Sequence, residues 1–163
     1  MRTIHWLFVV SVALFLSGIG FLIAGARPAQ EAAPVEAPLT TPVADVKQIM
    51  NGIVAPAAEV VFGAVGTIVT FSGVEEKVPR TDEEWTTVGN SAAALVESGN
   101  LLMMGSRVVD KGDWVKLSQA LMESSIVALK AVEAKDPQAI LTSGEAIYAS
   151  CNECHMKYQR SGG

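Results

Sequence analysis

Histidine and cysteine are scarce in this chain, with two of each among 163 residues. One histidine, His5, lies in an apolar N-terminal segment, which leaves His155 as the sole imidazole of the remainder. A structural zinc site needs four ligands; Cys151, Cys154 and His155 supply three. A disulfide between Cys151 and Cys154 would close a very short and strained loop. A thioredoxin-like redox pair expects a βαβ pattern around its cysteines, and none is visible. Basic charge is also short: 12 Lys and Arg stand against 17 Asp and Glu, a net charge of −5. Setting Arg2 aside makes the rest more acidic still, which argues against nucleic acid as a partner. A phosphate-binding glycine loop is missing too. From Val43 onward there is no useful run of strand-period alternation.

What is present is the run Cys151-Asn152-Glu153-Cys154-His155. C-x-x-C-H is the covalent haem-attachment pattern of c-type cytochromes. Each thiol adds across one vinyl group of the haem and becomes a thioether, and the two intervening residues give the reach. The adjacent imidazole then serves as the proximal iron ligand. One motif predicts one haem c. If the N-terminal segment is removed or membrane-bound, no second imidazole is left for the iron. The sixth position then falls to Met, Lys, water or nothing. With His155 committed to iron, no Ser/His/Asp triad can form. The chain is not expected to be an enzyme unless through haem chemistry such as peroxide reduction.

Residues 6–24, Trp6 to Ala24, are nearly all apolar, with Arg2 and His5 before them and Arg27-Pro28 after. A basic start followed by an apolar run is an export signal. Ala24-Gly25-Ala26 fits a cleavage site, yet the run approaches the roughly 20 residues that span a bilayer. Residues 1–26 are therefore read as a signal peptide or a membrane anchor. Both readings place the remainder outside the cytoplasm, in the periplasm. Residues 27–42, rich in Pro, Ala and Glu, cannot bury a core and read as an extended linker.

Residues 43–163 show four helix-period segments, which predicts an all-α domain. The first runs from about Val43 to Phe71, with Met50, Val54, Ala57, Val61, Val65 and Ile68 in one stripe and a kink expected at Pro56. Gly73 to Arg80 reads as a loop. Thr81 with Glu84 forms a capping box, and a second helix follows to about Arg107, striped by Trp85, Val88, Ala92, Leu95 and Leu102. A third begins near Gly112-Asp113 and carries Trp114, Leu117, Leu121 and Ala128. Asp136-Pro137 opens a fourth, which ends in the C-x-x-C-H motif. Four such helices with short connections make an antiparallel four-helix bundle. The first helix should cover the free face of a haem carried by the fourth.

A bundle with Cys151-Asn152-Glu153-Cys154-His155-Met156-Lys157-Tyr158 at its C-terminal end resembles the cytochrome c′ family, the class II c-type cytochromes. Tyr158 matches the aromatic that typically follows the haem histidine by three residues; Gln159 stands before Arg160 where the family often has a basic residue at once. The resemblance covers about residues 43–160. It implies Cys151 and Cys154 as thioether anchors and His155 as proximal ligand. It also implies a distal residue on the first helix. Low-spin members place a methionine there and carry electrons; high-spin members leave the iron five-coordinate and bind nitric oxide or carbon monoxide. Met50, the one methionine of the first helix, is the candidate distal ligand, and Lys47 a candidate contact for a haem propionate. The favoured reading is a periplasmic single-electron carrier with redox proteins as partners, and the family's frequent homodimers extend the list of expected partners to a second copy.

Overall fold

The computed structural model describes residues 2–25 and 40–159, in two units, Met1–Pro38 and Leu39–Gly163. Among its described residues the first unit holds helix α1 (Arg2–Gly25). Trp6, Phe8 and Phe15 on it are exposed. Among the described residues no helix is long and apolar enough to cross a membrane. Most of the linker expected at 27–42 lies outside the described residues.

The second unit is mostly helical, as the periodicity predicts. Its first rod begins with α2 (Val46–Ile49), capped reciprocally by Asp45 and Gln48. The Gln48 N–H donates to Asp45 Oδ1 at 2.7 Å, and the Asp45 N–H to Gln48 Oε1 at 2.9 Å. A π turn, Met50–Val54, follows, and then α3 (Ala55–Phe62). Proline cannot donate, so the regular ladder fails at Pro56. The chain meets this with the wider turn just upstream, in which the Ala55 N–H reaches back to Met50 O.

The rod stops at Phe62, short of the predicted Phe71. Strands β1 (Gly66–Thr70) and β2 (Gly73–Lys77) pair antiparallel, with Val69 opposite Val74. Thr67, Ile68, Val69 and Thr70 are β-branched and favour extended backbone. Gly73 closes the turn at φ +142°, open to glycine. All ten strand residues are exposed, so the hairpin adds nothing to the core.

Helix α4 (Asp82–Leu102) starts where the capping box predicts. The Glu84 N–H donates to Thr81 Oγ1 and the Thr81 N–H to Glu84 Oε2, both at 3.1 Å. The predicted stripe of Trp85, Val88, Ala92, Leu95 and Leu102 is buried throughout. The helix ends before the predicted Arg107, and a 3-10 turn (Gly105–Arg107) takes over. Gly105 has φ +56°, and a Cβ there would lie 2.7 Å from Pro42 Cγ. Arg107 is buried and ties the segment before α2 to the end of α4. Its Nε–H donates to Ala44 O at 2.8 Å and its Nη1–H to Leu101 O at 3.1 Å.

Helix α5 (Asp113–Glu133) buries Trp114, Leu121 and Ala128. Helix α6 (Pro137–Tyr158) starts at Asp136, whose Oδ1 accepts the Ala139 N–H at 3.0 Å. α4 packs on α5, α5 on α6, and α3 on both α4 and α6. Leu95, Ile140, Ile147 and Val61 fill the centre. The α4–α5 contact is close because residue 99 is glycine: a Cβ there would lie 2.8 Å from Ser118 O.

Candidate functional site

The last turns of α6 carry Cys151, Cys154, His155 and Tyr158. Steps of three and four put them on one helical face. Both cysteines are free thiols and half-buried, and His155 is exposed. Burial pushes both thiols above their ordinary pKa, and in Cys154 the neighbouring Cys151 adds to the effect. A raised thiol pKa leaves less thiolate, the form through which oxidation and disulfide exchange run.

These residues border a cavity of about 570 Å³. Cofactor and ligand cavities fall in the range of roughly 300–1,000 Å³. One side of its lining comes from the first rod: Val46, Lys47, Met50, Asn51, Val54, Ala55 and Ala58. The other comes from Cys151, Cys154, His155, Tyr158 and Gln159, with Trp114 of α5 completing it. Met50 and Lys47, singled out from the sequence, thus lie on the same cavity as the C-x-x-C-H motif. Met50 is half-buried at the start of the π turn, and Lys47 is exposed one turn before it. Such turns frequently mark functional positions within helices. Of the other interior methionines, Met103 and Met104 are not on the cavity, and Met122 packs toward Gly99. Arg160 lies outside the described residues.

Sequence periodicity marks Trp114 as a packing residue. It is 3% exposed, and it also forms a wall of the cavity. Asn51 and Gln159 line the site without any sequence signal that sets them apart. Among the described residues no group of three or more His, Cys, Asp or Glu side chains is arranged to hold a metal ion. Such a group would suit a bare ion; a haem iron takes only one or two axial ligands from protein.

Comparison with known proteins found no matching family model, no matching curated protein and no matching solved structure.

Proposed function

We propose that this chain is an exported c-type cytochrome that carries single electrons. In this reading the rod Val46–Phe62 and helices α4, α5 and α6 form an antiparallel four-helix bundle, with one haem c attached to α6. The observation that carries the reading is the single cavity shared by Cys151, Cys154, His155 and Met50. Two thiols, an imidazole and a thioether around a largely aliphatic wall are the donor set that covalent haem uses.

Haem bound there would supply a one-electron ferric/ferrous couple. Cys151 and Cys154 would hold it through thioethers, and His155 would give the proximal nitrogen. Met50 would give a soft, neutral sulphur, which favours ferrous iron and raises the potential relative to a nitrogen donor. With His155 and Met50 both as donors, a bound iron would have no position open to exogenous ligands, as an electron carrier requires. Val46, Val54, Ala55 and Ala58 would keep water from the centre, and Lys47 would offer its ammonium group to a propionate. Redox proteins are the natural partners, and residues 6–24 serve as leader or anchor for the periplasm.

The test is Met50→Ala in protein matured by a c-type assembly system. Wild type should keep one haem per chain after acid-acetone extraction and show a low-spin ferrous spectrum. Met50→Ala should turn it high-spin and open the iron to carbon monoxide. Retention of covalent haem by the Cys151→Ala/Cys154→Ala protein would remove the basis of the reading. A wild type that is already high-spin and binds carbon monoxide makes Met50 a packing residue and the protein a gas-binding one.

A further inference from the structure

The turn that carries His155 has little to hold it in place. Of residues 155–159, only Tyr158 is not exposed. A helix end with so few buried contacts frays at little cost. Tyr158, however, is gripped from outside the motif. Asp110, in the connection before α5, accepts a hydrogen bond from the Tyr158 hydroxyl through Oδ2. Its Oδ1 accepts the N–H groups of Gly112 at 2.8 Å and Trp114 at 3.2 Å, which caps the start of α5. The Trp114 and Tyr158 rings meet edge to face, with centroids 5.0 Å apart and planes at 80°. The Trp114 indole N–H donates to Leu102 O at 2.9 Å, at the end of α4. One carboxylate therefore joins the start of α5 to the last turn of α6, and Trp114 ties both to the end of α4. Charged acceptors make the stronger hydrogen bonds.

We propose that Asp110 is a positioning residue for the site: through Tyr158 it fixes the turn bearing Cys154 and His155 against α5, and its charge lowers the potential of a centre bound there. The second half rests on the haem reading above; the first does not. Lys157 pairs with Asp113 beside this contact, but both side chains are about half exposed, at 49% and 56%. Such a pair contributes little, so Tyr158 is the anchor.

The experiment compares Tyr158→Phe and Asp110→Asn in the full chain, made both with and without c-type maturation. Tyr158→Phe keeps the ring and its contact with Trp114 and removes only the hydroxyl. Asp110→Asn keeps the oxygen that caps α5 and removes the charge. In both, amide hydrogen exchange over His155–Gln159 should speed up roughly fivefold or more, with the interior of α4 unchanged. In haem-loaded protein the reduction potential should rise in Asp110→Asn, which loses a negative charge, and not in Tyr158→Phe, which keeps it. Unchanged exchange in the last turn overturns the proposal, and equal potential shifts in the two variants overturn its electrostatic half. Protein that takes up no haem but shows the exchange effect leaves the anchoring role standing and sinks the haem reading.

Discussion

Gly99→Ala tests the packing that sets the spacing of α4 and α5. A Cβ at residue 99 would lie 2.2 Å from Met122 Cγ, 3.0 Å from Met122 Sδ and 2.8 Å from Ser118 O. Methionine is unbranched and can swing away. The Ser118 carbonyl is helix backbone and cannot, so the two helices must part locally. Overpacking of this kind costs about 1–3 kcal/mol. Replacing glycine by alanine in a helix interior returns about 0.8–1.0 kcal/mol. The midpoint of the clash outweighs the propensity, and the net loss should be on the order of 1 kcal/mol and at most about 2 kcal/mol. For a domain of this size that lowers the melting temperature by roughly 3–8 °C. Gly89→Ala is the matched control on the same helix: its Cβ would meet Val132 Cγ1 at 3.1 Å, a side-chain methyl with nothing worse behind it. Its small crowding and its propensity gain should nearly cancel. Thermal and urea unfolding followed by circular dichroism decide the matter. A Gly99→Ala protein as stable as wild type would show that the α4–α5 approach is looser than described. Ser118 also bonds back to Trp114 O at 2.8 Å, so the same strain is passed toward the cavity wall one turn away.

What the sequence reveals depends on how local each cause is. The start of α4 is legible because Thr81 and Glu84 satisfy each other within one turn. Its buried face is legible because Trp85, Val88, Ala92 and Leu95 follow the helical period. The C-x-x-C-H run is legible because it sits in five consecutive residues. The hairpin is misread for an instructive reason: Val65 and Ile68 happen to continue the stripe of the rod before them. The competing signal was present in Gly63, Gly66, Gly73 and the β-branched run between them, and local backbone preference won over periodicity because these residues face no core. Pro56 announces a disturbance, but not that a π turn would absorb it. Just past the end of α4, Gly105 meets Pro42, a contact between distant segments that local sequence does not show. Asp110 is invisible for the same reason: its partner Tyr158 is brought to it only when α5 and α6 pack. Trp114 shows the remaining ambiguity, since a residue that fits a core stripe can also wall a cavity.

Two further outcomes follow from the caps and the charges. Thr81→Ala removes the side-chain acceptor for the Glu84 N–H and should cost about 1 kcal/mol, seen in urea unfolding with an unchanged m-value; a loss below a few tenths of a kcal/mol would mean that Glu84, which also accepts from Arg80 N–H at 2.6 Å, caps the helix alone. The pH dependence of the Asp110–Tyr158 contact has a definite sign. Tyr158 is pushed up to about 12, first by its hydrogen bond to Asp110 and then by burial, whereas an unfolded tyrosine titrates near about 10. Its protonated form is the one the fold favours, so the contribution is complete below about pH 10 and is lost as pH rises from there through about 12. Asp110 is held below its ordinary carboxylate value, first by Tyr158 and then by the Trp114 N–H, so its contribution is present above about pH 4 and fades as the solution becomes more acidic. The difference in stability between wild type and Tyr158→Phe should therefore be flat across neutral pH and shrink above about pH 10. Lys157, raised by Asp113, also titrates in the alkaline range, but it is present in both proteins and cancels in the difference. A difference that survives unchanged at pH 12, or that disappears already at pH 8, would show that the hydroxyl does not bond to Asp110 in solution.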